Sequence, residues 1–185
     1  MTQLKLCMLP SFDRGFEDFG EGDLYVTGTT LVEYFKGSLK NTPFDSVDFT
    51  YEPKAAAITD QDLVCYMLAN ANRSIVARKV PGSQLGPSGS TIQLNDGTVI
   101  SEIYIDVTAG DARRSTLVAN LIYHEWMHNH LDASTPVLQL VHNIAGGVLS
   151  TGNTIKSSMS PSNADKAAVT RGLNRKVKQY TGNLP

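Results

Sequence analysis

Apolar and polar positions follow two rhythms along this chain. In the first hundred residues the apolar runs are short and closely spaced. Leu4–Leu9, Leu63–Leu68 and Ser74–Val80 each predict a strand, and Val47–Tyr51 alternates Val47, Phe49 and Tyr51 against Asp48 and Thr50, as a half-buried strand does. Thr29–Leu39 instead repeats at helical spacing through Leu31, Tyr34, Phe35 and Leu39. Thr30 and Glu33 have the spacing of a capping box there, and Gly37 lies near the predicted end. The Gly/Pro/Ser stretch Pro81–Ser90 reads as a connection. Thr91–Leu94 and Val99–Val107, joined through Asn95-Asp96-Gly97, predict a β-hairpin.

After Gly110 the rhythm becomes helical. Asp111 can cap a helix from about Ala112 to about Leu131, with Leu117, Leu121, Met127 and Leu131 along it. Asp132–Pro136 breaks that pattern. Thr135 as cap and Pro136 as first helical residue then open a shorter helix, stopped by Gly146-Gly147. Ser162 or Asn163 opens a last helix reaching about Tyr180. Strands first and helices last predict an α+β fold, with an N-terminal mixed β-sheet carrying one helix and a C-terminal helical half.

The 185 residues suit one domain, residues 1–185. A composition of 41% hydrophobic and 18% charged residues is that of a globular protein, and the formal charge of -2 argues against nucleic-acid binding. Arg171, Arg175, Lys176 and Lys178 read as a solvated face. The run around Leu4 is too short for a signal sequence or a membrane span. The expectation is a cytoplasmic protein, or one exported without a recognisable signal, that makes no membrane contact. Cys7 and Cys65 each sit in an apolar run and read as buried thiols.

The candidate chemistry lies in the first helix of the second half, at His124-Glu125-Trp126-Met127-His128. Residues four apart on a helix lie about 40° apart around the axis and about 6 Å along it. Two imidazoles so placed can converge on one metal ion at about 2.0–2.1 Å. Glu125 reaches the edge of the same site, where its carboxylate can take a proton from a metal-bound water. All four histidines of the chain fall between positions 124 and 142. Trp126 and Met127 point away from that side, toward a core.

Over this helix the chain resembles the zincin metallopeptidases, whose pattern is H-E-x-x-H. The resemblance implies a zinc ion held by His124 and His128, Glu125 as general base, a peptide or protein substrate, and a strand above the cleft with which an extended substrate pairs. Ile100–Val107 is the candidate for that strand. The metzincin continuation would place glycine at 131 and a ligand at 134, where Leu131 and Ser134 stand, although Ser158-Met159-Ser160-Pro161 looks like a Met-turn. The gluzincin continuation needs a downstream glutamate, and none follows Glu125. Neither cysteine has the Glu-Gly-Cys context of the peptide deformylases.

Three residues are candidates for the third ligand. His142 comes opposite residue 125 if the two helices form a hairpin about positions 132–135. Asp132 lies about 12 Å along an unbroken helix from His124. It can ligate only if the chain turns sharply after His128, and it could equally accept a bond from a ligand imidazole. His130 faces away from His128. Competing with a peptidase are another zinc hydrolase, such as an amidase or an autoprocessing enzyme, and a protein in which the metal only staples helices. Structural zinc sites usually use cysteines, and this cluster has none nearby. Tyr104, Tyr123 and Tyr180 are left outside the site, since nothing separates them from packing residues.

Overall fold

A computed structural model of the chain describes residues 2–11, 18–51, 58–59, 62–130, 147–149 and 154–182. In chain order the elements are β1 (Gln3–Pro10), α1 (Glu21–Lys36), β2 (Ser46–Thr50), β3 (Leu63–Leu68), α2 (Ile75–Lys79), β4 (Gly89–Gln93), β5 (Val99–Tyr104), α3 (Arg114–His130) and α4 (Asn163–Gly172). Short 3-10 turns lie at Ala71–Arg73, Asp106–Thr108 and Gly147–Leu149. The five strands form one sheet in the order β2-β1-β3-β5-β4. All neighbours run parallel except β4, which pairs antiparallel with β5 at the sheet's end. The sheet is thus mixed, and α3 with its histidines lies in the C-terminal half, as the order of patterns predicts.

Alternation along the inner strands splits the core in two. Leu4, Leu6, Met8, Leu63, Cys65, Met67 and Ile103 face the larger cluster, closed by α1, α3 and α4. Cys7, Leu9, Val64, Tyr66, Leu68, Ile100 and Tyr104 face the other side, covered by Ile75 and Val76 of α2. Every residue of β3 and β5 is buried, as expected of strands covered on both faces. Cys7 and Cys65 are buried free thiols, and they project from opposite faces of the sheet. No helix among the described residues is long and apolar enough to cross a membrane.

Three boundaries depart from the sequence expectations. Ser74–Val80 contains a helical turn, α2, because the Ser74 hydroxyl caps it by accepting from Ala77 N and the Glu102 carboxylate accepts from Ile75 N and Val76 N. Helix α1 begins at Glu21, where Asp23 accepts from Gly20 N, while Thr29 and Thr30 return their hydroxyls to carbonyls one turn back. The last helix stops at Gly172. The segment after it pairs with the sheet, through Val99 N to Lys178 O at 2.8 Å and Tyr180 N to Val99 O at 2.8 Å. The β4–β5 hairpin forms as expected, closed by Leu94 N to Thr98 O at 2.7 Å.

Candidate metal centre

Helix α3 is buried from Leu117 to His128. Its apolar residues account for most of that contact. Trp126 packs edge-on against Phe35 of α1, and Tyr123 against Tyr34 and Phe35. Asp111 accepts from Arg113 N at 2.7 Å in the turn ahead of the helix, which begins at Arg114, so Asp111 shapes the approach to the helix and does not cap it. Asn120, His124 and His128, spaced by four, form a polar stripe through this core. Asn120 is fully satisfied. It accepts from the Tyr34 hydroxyl at 2.9 Å and donates to the carbonyls of Lys156 at 2.9 Å and Met159 at 3.0 Å.

The two histidines are held differently. Nδ1 of His124 lies 3.1 Å from the carbonyl of Val148. A carbonyl only accepts, so Nδ1 carries the proton and Nε2 presents a lone pair. That lone pair lies 3.3 Å from Nε2 of His128. Such a pair needs a proton or a cation between its nitrogens. Two metal–nitrogen bonds of about 2.05 Å at a tetrahedral angle set their nitrogens about 3.3 Å apart. The donor set, the spacing and the tautomer therefore fit a zinc ion. Together with a carboxylate oxygen of Glu125, the ligand atoms lie within 4.8 Å of one another, a group that could hold a metal.

Glu125 is 7% exposed and faces β4 rather than solvent. Thr91 stands opposite Ser101 in the β4–β5 register, on the face that α3 covers. Its hydroxyl lies 2.8 Å from Glu125 Oε2, 3.0 Å from the Glu125 carbonyl and 3.0 Å from the Ser101 hydroxyl. In the metal-free protein, burial pushes the Glu125 carboxyl up to about 8; the Thr91 hydrogen bond works against that shift and the negative charge of Glu102 adds to it. Gly89 leaves room for the carboxylate: a Cβ there would lie 2.9 Å from Glu125 Oε1 and 2.6 Å from the Glu102 carbonyl.

Among the sequence-predicted residues, His124, Glu125 and His128 come together. Asp132 and His142 lie outside the described residues, and for His130 only the helical backbone is described. The assignment of Ile100–Val107 as a substrate strand is corrected. Strand β5 occupies that stretch up to Tyr104 with both edges already paired, to β3 and to β4. The strand beside Glu125 with no further partner among the described residues is β4.

Thr91, Gly89, Val148 and Asp165 bear on the site and were not singled out. Of these, Asp165 carries a signal, since Ser162-Asn163-Ala164-Asp165 has the spacing of a capping box. The tyrosines left outside the site serve packing: Tyr104 donates to Glu102 on the far face of the sheet, Tyr123 is fully buried, and Tyr180 packs on Tyr66. No family model matches the chain, and no curated protein matches it.

Proposed function

We propose that this protein is a zinc-dependent peptidase in which Glu125 is the general base. The reading rests on one observation above the others: a lone pair on His124 Nε2 faces His128 Nε2 at 3.3 Å, with a single under-solvated carboxylate beside them. His124 and His128 would hold the metal, with the third protein ligand drawn from His142 or Asp132. A bound zinc ion supplies an acidified water and polarises the scissile carbonyl.

The remaining work falls to the chain. Glu125 accepts a proton from the water as its oxygen adds to the carbonyl carbon. It then delivers that proton to the departing amide nitrogen as the C–N bond breaks. Thr91 holds one carboxylate oxygen, and Gly89 keeps the other approachable. The outer edge of β4 offers backbone N–H and C=O groups to an extended substrate lying alongside Glu125. A strand in that position places a peptide bond over the carboxylate without any side-chain pocket.

Hydrolysis of a pool of quenched fluorescent peptides tests the proposal. The zinc-loaded wild type is expected to cleave, and Glu125→Gln to retain zinc while cleaving about 10²–10⁴-fold more slowly. Zinc binding without cleavage of any peptide would remove the peptidase reading and leave an amidase or a metal that only staples the fold.

A further inference from the structure

The carbonyl that fixes His124 belongs to a turn that is itself held from elsewhere. Asp165, at the start of α4, is fully buried, and one of its oxygens, Oδ2, accepts from Val148 N at 3.1 Å and from Ser162 N at 2.7 Å. The Val148 carbonyl in turn accepts from His124 Nδ1. Gly147, with φ +69, lies so close that a Cβ there would collide with the same Oδ2 and approach Ser162 N at 2.8 Å. Side chain, turn and imidazole therefore form one chain of contacts from α4 to α3.

We infer that Asp165 is a positioning residue for the metal centre: by holding the Val148 N–H it fixes the turn whose next peptide aims the Val148 carbonyl at His124 Nδ1, and so sets which imidazole nitrogen is open to the metal. An aspartate at this position of a helix normally only caps, and here it does so. Capping needs Ser162 N alone. The second acceptance, from Val148 N, adds nothing to α4 and serves the turn. The close fit at Gly147 keeps the carboxylate against that turn. Outer partners of ligating histidines commonly govern tautomer and affinity in this way.

The inference rests on the metal reading of His124 and His128, and the test separates the two. Affinity for Zn2+ would be measured by chelator competition on wild type, Asp165→Ala, Asp165→Asn, Ser162→Ala and His124→Ala. Asp165→Ala should bind zinc about 10- to 100-fold more weakly than wild type. Asp165→Asn keeps an acceptor oxygen and should stay within about threefold on the same grounds. Ser162→Ala removes the other half of the capping box, its bond to Asp165 N at 3.1 Å, and should leave affinity unchanged.

In the zinc-free protein, ¹⁵N shifts should show His124 protonated at Nδ1, with Nε2 protonation appearing in Asp165→Ala. Equal affinity and an unchanged tautomer in Asp165→Ala would overturn the inference while leaving the metal site intact. Equal losses in Ser162→Ala and Asp165→Ala would overturn it too, by reducing Asp165 to a cap. If Asp165→Ala fails to fold, Gly147→Ala, which drives the carboxylate off the turn, should give the same loss, and unchanged affinity there would overturn the inference. Wild type binding no better than His124→Ala would remove the metal reading and the inference with it.

Discussion

Two buried glutamates lie on opposite faces of one sheet, and they are treated differently. Glu102, on the α2 side, is fully buried and receives four donors: the hydroxyls of Ser74 and Tyr104, and the N–H groups of Ile75 and Val76. Glu125, on the α3 side, is nearly as buried, yet among the described residues only Thr91 donates to it. A carboxylate whose acceptor sites are saturated is a structural part, because moving or protonating it would strand its donors. A carboxylate buried with one donor stays reactive and lacks the solvation it would have in water. Burial alone therefore does not separate the two carboxylates; the number of donors each receives does.

This contrast is broken most directly by truncating each residue. Glu102→Ala leaves two hydroxyls and two N–H groups without their acceptor and is expected to lower unfolding free energy by about 3–5 kcal/mol, read by urea denaturation. Glu125→Gln is expected to leave stability near that of wild type at acidic pH while slowing turnover about 10²–10⁴-fold. Equal stability losses at the two positions would erase the distinction.

A pH series sharpens it. In the metal-free protein the folded-state pKa of Glu125 stands at about 8, above the ordinary carboxylate value of 4.5. Below pH 4.5 the group is protonated in both states and contributes no penalty. As pH rises toward 8 the unfolded chain ionises while the folded protein holds its proton, so stability falls through that window and levels off above it. Melting temperatures of metal-free wild type should decline there relative to Glu125→Gln. Parallel curves would contradict the assigned burial.

Smaller effects follow from the close fits. Gly89→Ala places a Cβ against Glu125 and should slow turnover by up to about 10²-fold with zinc retained, a displacement cost of the kind expected for about 1 Å. The thiols should be inert: burial pushes Cys7 up to about 12 and Cys65 well above its ordinary value. Mass spectrometry after alkylation at pH 8 should show no modification of the native protein and two additions in urea.

Much of this arrangement was legible from local pattern. The strands at Leu4–Leu9, Val47–Tyr51 and Leu63–Leu68, the β4–β5 hairpin, and the helix carrying His124, Glu125 and His128 all express periodicity or turn chemistry that neighbouring residues determine. What escaped is what distant residues decide. Ser74–Val80 has strand-like Ile75 and Val76, but Glu102, 27 and 26 positions away, holds their N–H groups at a helix start. Thr91 meets Glu125 across 34 positions, and Val148 meets His124 across 24. Side chains at such separations share no local pattern, so only the folded sheet and helices bring them together. Asp165 was half legible, as a cap and not as the acceptor for Val148 N, 17 positions away.

His124 and His128 are expected to hold one metal ion. Elemental analysis of the purified protein, incubated with Zn2+ and dialysed, tests it beside His128→Ala. About one zinc per chain is expected in wild type, the occupancy of a single tetrahedral site, and its loss in the variant. No zinc in wild type, or equal zinc in both, would contradict it and reduce the facing imidazoles to a hydrogen-bonded pair within the core.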